Sequence, residues 1–223
     1  MGCGVDMTQF YQKRRLFRSG IAVLSKTARY AGEMGFTYPV MLSLDGVPVL
    51  LVGGGNIASR KAEGLVAAGA LLTVVAPEIR EELAAVAHRL ERRPYQATDI
   101  AGHRLVMTAT DNPAVNAQVG RDATEFGVWV NSADDPANCS FILPAVARRG
   151  PVTVAVGTDG SSPALARTLR DRIANEVVTE GVEKAAADLA AQRADCHSRG
   201  ISTESIDWSD RVAEALARYD RHS

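Results

Sequence analysis

The chain has 223 residues, 46% of them hydrophobic, and a formal net charge of −1. That length suits one domain plus a smaller one, the balanced charge argues against the basic footprint of a nucleic-acid binder, and no apolar run approaches the ~20 residues that span a bilayer. Cys3, Cys139 and Cys196 are far apart and form no C-x-x-C pair, which fits a reducing cytoplasm and not a disulfide scaffold.

Residues 1–36 surround short apolar pieces with Lys13, Arg14, Arg15 and Arg18. Ile21–Leu24 is too short for the apolar region of a signal peptide, so this stretch is expected to be a poorly ordered extension or the product of an early start. The pattern becomes regular after Pro39. Val47–Val52 reads as a strand, Ile57–Ala68 as a helix closed by Gly69, and Leu71–Ala76 as a second strand stopped by Pro77. Ile79, Leu83, Val86 and Leu90 recur at helical spacing and predict a helix over Glu78–Leu90. Arg93–Ala97 is expected as a short polar strand near an edge, and Arg104–Ala109 as a buried strand. A helix follows over Ala114–Phe126 with Pro113 in its first turn, then a strand over Val128–Ser132. Strands alternating with helices imply an α/β fold with a parallel sheet covered on both faces.

The second part changes character. Ser140–Val146 and Val152–Val156 flank Arg148-Arg149-Gly150-Pro151 and predict a hairpin. Ser162 and Pro163 are placed to cap and open a helix that runs through Leu165, Leu169 and Ile173. Beyond Val182 the chain is charged, alanine-rich and helical, with a break near Gly200–Ile206.

The junction of the first strand and helix carries the chemistry. Gly53-x-Gly55-x-x-Ala58 fits the dinucleotide fingerprint with alanine in the third place. Gly53 permits the turn, Gly55 lets the backbone approach a pyrophosphate, and the helix N-terminus turns N–H groups toward it. Pro77 and Glu78 follow the second strand, where the adenosine ribose belongs. Glu78 has two readings of equal weight, a ribose contact or an acid favoured by the helix dipole. Thr110 ends the strand that faces the crevice on the nicotinamide side. Asp111 sits before a helix, where capping is the slightly favoured role and a cofactor contact the other. Arg80 reads as a solvated charge, which favours NAD over NADP. The four histidines show no ligand spacing, so no metal site is expected.

The order of these motifs resembles the precorrin-2 dehydrogenase family, which includes bifunctional members that also insert iron and the N-terminal half of sirohaem synthase. The resemblance rests on Gly53–Ala62, Ala109-Thr-Asp111, Asn131-x-x-Asp134-x-Pro136, Phe141-Ile-x-Pro144 and Thr158-x-Gly-x-Ser-Pro-x-Leu-Ala166, and covers about Tyr38 to Glu176. It implies a Rossmann domain over residues 37–139, a dimerisation region of strands and helices over 140–180 and a helical C-terminal region over 181–223. It further implies a cytoplasmic homodimer with no membrane or nucleic-acid partner, and Asn56 and Ile57 at the NAD pyrophosphate.

The implied ligands are precorrin-2 and sirohydrochlorin, with ferrous ion as a substrate of any chelatase step. Asn131, Thr158 and Ser162 are expected near the tetrapyrrole, and Asp134 matches the family's catalytic aspartate. Locally, Asp134-Asp135-Pro136 is also an ordinary turn sequence, and the resemblance decides for catalysis. A non-catalytic NAD-sensing module is the rival, since a Rossmann fold alone permits one.

Overall fold

The computed structural model describes residues 37–133 and 138–220. The expected extension over 1–36, with Cys3, lies outside the described residues. Five parallel strands form one sheet: β1 (Pro48–Val52), β2 (Leu71–Val75), β3 (Arg89–Glu91), β4 (Leu105–Thr108) and β5 (Trp129–Asn131), in the order β3-β2-β1-β4-β5. The helices α1 (Asn56–Ala67), α2 (Glu81–Val86) and α3 (Pro113–Glu125) cross between them. This is the doubly wound α/β arrangement, with its switch point between β1 and β4. Registers Val52↔Val75 and Val52↔Thr108 bring the carboxyl ends of the three central strands level.

The strands are apolar on both faces because both faces are covered. Val49, Leu51, Leu72, Val74, Leu105 and Met107 pack on one side against Ala58, Ala62 and Leu65 of α1 and Leu83 of α2. Leu50, Val52, Val75, Val106 and Val130 pack on the other against Ile100 and against Val119 and Ala123 of α3. Ala58 is fully buried, and its small side chain lets α1 lie close to β1.

Three elements depart from the periodicity. The helix expected over Glu78–Leu90 is only α2, and Leu90 belongs to β3, opposite Val74. The backbone becomes extended at Ala87, and the His88 amide donates to the Leu72 carbonyl at 2.8 Å. Edge pairing with β2 therefore ends the helix before its apolar spacing runs out. The short polar edge strand accordingly lies at Arg89–Glu91, not Arg93–Ala97. Ala97–Ile100 forms a 3-10 turn with a capping box between Gln96 and Asp99.

The third departure lies in the hairpin. Its strands are β6 (Ala145–Arg149) and β7 (Val152–Val156), antiparallel and separate from the main sheet. Ser140 instead runs beside β5, its amide donating to the Val130 carbonyl at 2.8 Å. The turn falls at Gly150-Pro151, where Gly150 has φ +51°. Beyond it lie α4 (Pro163–Glu176), α5 (Glu180–Ser198) and α6 (Ser209–Asp220). Among the described residues no helix is long and apolar enough to cross a membrane.

Candidate functional site

Three loops meet at the carboxyl edge of the sheet. In the β1–α1 loop, the Gly53 amide donates to the Val75 carbonyl at 3.0 Å. Gly53 has φ +129°, and a Cβ there would overlap the backbone of Ala109, which follows β4. A Cβ on Gly54 would overlap the Glu78 carbonyl in the β2–α2 loop, and the Arg80 amide donates to the Gly54 carbonyl at 3.1 Å. Gly54 is the residue the fingerprint treats as variable, yet it is the one on which a neighbouring loop rests. Its identity is explained only by that packing.

Among the described residues no atom lies within 4 Å of a Cβ built on Gly55. It is the N-cap of α1 without a side-chain cap, and the first turn holds no acidic residue. The leading N–H groups of α1 thus meet an open space bounded by backbone, which suits a pyrophosphate. Asn56, Ile57, Pro77 and Glu78 are exposed beside it. These residues fit a dinucleotide: uncapped amides for the phosphates, an open approach at Gly55 and an apolar Ile57 on the rim.

The residues after β4 serve the start of α3. The Thr110 hydroxyl donates to Asn116 Oδ1 at 2.8 Å, and Asn116 Nδ2 donates to the Thr110 carbonyl at 3.0 Å. Capping falls to Asn112, whose Oδ1 accepts from the amides of Ala114 and Val115. The favoured capping role of Asp111 is corrected accordingly. Asp111 is exposed; Asn112, next to Pro113, is the residue with the extended backbone that lets a side chain fold back over the first turn.

Asn131 ends β5 and is 8% exposed. Its Oδ1 accepts from Lys61 Nζ at 2.9 Å, and its Nδ2 donates to the Phe141 carbonyl at 3.1 Å. Lys61 Nζ also donates to the Thr108 carbonyl at 3.0 Å. Thr108, fully buried, pairs its hydroxyl with Ser132 Oγ at 3.1 Å and accepts from the Ala133 amide at 3.1 Å. The Ser132 amide donates to Cys139 Sγ at 3.1 Å, so Cys139 is a hydrogen-bonded post. The chain leaves the sheet at Ser132–Ala133 and returns along β5 at Cys139–Ser140. Asp134, between these ends, lies outside the described residues.

Thr158 and Ser162 lie on the loop between β7 and α4. The Thr158 hydroxyl donates to the Ser162 carbonyl at 3.1 Å, and Ser162 Oγ accepts from the Leu165 amide at 3.2 Å. Ser162 is therefore the N-cap of α4, with Pro163 at the first helical position. Among the described residues no group of three or more His, Cys, Asp or Glu is placed to hold a metal ion.

Neither Lys61 nor Ser132 stands out as a site residue in the sequence. One signal was available: Lys61 interrupts the face of α1 formed by Ala58, Ala62 and Leu65.

A family model for putative NAD(P)-binding proteins matches residues 40–145, and one for the central part of sirohaem biosynthesis proteins matches residues 149–176. Siroheme synthase 2 of Aeromonas salmonicida (strain A449) is 48% identical over 139 residues, 60% of this chain and 28% of that protein. Siroheme synthase 1 of the same strain is 38% identical over 196 residues, 83% of this chain and 42% of that protein. The chain thus spans less than half the length of these curated relatives. A solved structure of SirC, a precorrin-2 dehydrogenase, superposes with a TM-score of 0.65 and 28% identity, covering 83% of this chain and 100% of that one.

Proposed function

We propose that the chain, which is similar to siroheme synthases and to the precorrin-2 dehydrogenase SirC, oxidises precorrin-2 to sirohydrochlorin with NAD. The observation that carries this reading is the uncapped N-terminus of α1, facing open space at the switch point of the sheet. The cofactor is NAD, held by the backbone of Gly53–Ile57 with Pro77 and Glu78 on its ribose side and Thr110 and Asp111 toward its nicotinamide. When bound, it supplies the hydride acceptor. The oxidation removes one hydride and one proton, so the protein must provide a base.

Asp134 is assigned that role. It follows Ala133 directly in the chain, and the Ala133 amide is held by Thr108. In the chain it follows the last strand of the parallel sheet, and the segments after such strands carry the substrate contacts of these folds. Asn131, Thr158 and Ser162 are proposed near the tetrapyrrole, with Asn131 acting through the shape it gives the crevice. Pyrrole protons must also leave when ferrous ion enters sirohydrochlorin, and the same carboxylate would accept them if the chain performs that step.

The region over 37–139 is proposed as the cofactor domain, 140–180 as the dimerisation region and 181–223 as its helical complement. On α4 of the middle region Leu165 is 50% exposed and Leu169 38%, with Val177 beyond its end at 57%. The helix that carries this stripe packs on the two-stranded β6–β7 sheet, whose outer edges pair with no other strand among the described residues. Both features suit a second copy of the chain, and the cytoplasm is the proposed location.

The test is turnover. Purified protein with precorrin-2 and NAD+ is expected to produce NADH absorbance and the sirohydrochlorin spectrum together. Neither signal appearing would end the dehydrogenase reading in favour of a sensing module. Ferrous ion added to sirohydrochlorin, followed by loss of the free-base spectrum, tests the chelatase step.

A further inference from the structure

Lys61 lies on α1, five residues beyond the first residue of the helix that receives the cofactor. Its amine crosses from the helix to two different strands, taking the Thr108 carbonyl of β4 and the Asn131 side chain of β5. The surrounding positions on that face, Ala58, Ala62 and Leu65, are apolar and buried. A methionine or leucine would pack there without the desolvation cost of an amine. Packing alone does not explain a lysine at this place.

The geometry explains it better. Asn131 has an acceptor and a donor end, and the two partners demand opposite ends: Lys61 the oxygen, the Phe141 carbonyl the nitrogen. The amide has only one orientation that satisfies both. That orientation ties the returning segment at Phe141 to the end of β5. The same amine holds the Thr108 carbonyl, while the Thr108 hydroxyl holds the Ala133 amide and Ser132 Oγ. One side chain thus joins the cofactor helix, the ends of two strands and, through them, both ends of the excursion that leaves the sheet after Ala133.

We infer that Lys61 is a positioning residue for the reaction proposed above, on which this inference rests. It fixes the carboxyl ends of β4 and β5 relative to the cofactor helix and makes no contact with substrate itself. Supporting hydrogen bonds of this kind hold reacting groups within the narrow tolerance that turnover requires.

The experiment compares wild type with Lys61→Met, which keeps the stem and removes the donors, and Lys61→Arg, which keeps donors and charge. Five quantities are measured on the full chain: thermal midpoint, NAD+ affinity by calorimetric titration, kcat for precorrin-2, KM for precorrin-2, and hydrogen exchange at the amides of Ala133 and Ser140. For Lys61→Met the inference expects kcat lower by about 10- to 100-fold, with KM and NAD+ affinity within about threefold. It also expects faster exchange at both amides, and partial recovery of kcat in Lys61→Arg. Unchanged kcat in Lys61→Met would overturn it. So would a kcat loss that follows the folded fraction and is not relieved by arginine. If wild type itself fails to oxidise precorrin-2, the proposed reaction falls. The lysine's hold on the crevice is then judged by exchange alone, and unchanged exchange in Lys61→Met overturns that too.

Discussion

The two halves of the described chain solve the burial problem differently. Every one of the largest fully buried side chains, among them Leu50, Leu51, Leu72, Leu83 and Ile100, belongs to the five-stranded sheet or to the helices and the 3-10 turn packed on it. The described hairpin, the three helices after it and their connections bury only small and medium-sized residues, among them Ala147, Ala166, Val178, Ala185, Cys196, Thr203 and Ala215. Leu165, Leu169 and Val177 stay exposed there. The first half has a core of large side chains of its own, although Ile57, Phe126 and Trp129 stay exposed on its surface. The second lacks such a core, which is why a second copy is proposed to cover its apolar helix face.

The largest effect is expected at the junction of the two halves. Asp134→Ala should lower precorrin-2 turnover about 10²- to 10⁴-fold, the usual contribution of a positioned base, while calorimetric NAD+ affinity stays near wild type. Turnover at the wild-type rate would remove Asp134 from the mechanism. Next comes the contrast of cores. Leu50→Ala should cost about 2–5 kcal/mol in urea unfolding, whereas Leu169→Ala at an exposed position should cost the protomer under about 0.5 kcal/mol. Leu169→Lys should instead shift sedimentation toward the monomer. Equal destabilisation by the two alanine variants would erase the distinction between the halves.

Within the first half, the glycines can be separated. Gly54→Ala should destabilise by about 1–3 kcal/mol, because its Cβ meets the Glu78 backbone and the loop must shift. Gly55→Ala, which meets nothing, should change stability by no more than about 1 kcal/mol, in either direction. It should weaken NAD+ binding all the same, by filling the approach. In the second half, Ser162→Ala removes the cap of α4 and should cost about 1 kcal/mol, read by thermal unfolding.

The smallest effect is a pH slope. Burial pushes the Asp99 carboxyl up, but the paired hydrogen bonds from Arg93 and the Gln96 amide outweigh it and leave the group below the ordinary carboxylate range. A depressed folded value means that this contribution is present above the unfolded carboxylate pKa, about 3.9. It is lost as pH falls through the folded value. Asp99→Asn should flatten the acid limb of a stability profile, and an unchanged limb would show that Asp99 does not shape it.

Much of the fold was legible because its signals are local. The apolar run ending at Gly53, the Pro113 and Pro163 helix starts, the Ser162 cap and the alternation of strand and helix each depend on neighbours within a turn or two. Less of the site could be read. The fingerprint points to Gly53 and Gly55, but the need for glycine at 54 comes from a carbonyl in another loop. The sequence pointed to Asp111 as the cap of α3, and the backbone angles give that place to Asn112.

The chain alone determined an α/β sheet of parallel strands, the helix that opens on the glycine turn, and the kinship on which the functional reading stands. Tertiary structure decided where α2 stops, because Leu90 answers to a partner strand and not to its own periodicity. It also decided what Lys61 does. Its partners, Thr108 and Asn131, stand 47 and 70 residues away along the chain, beyond the reach of any local pattern. Folding brings them to one point at the end of the sheet, and only there does a lysine among alanines acquire a purpose.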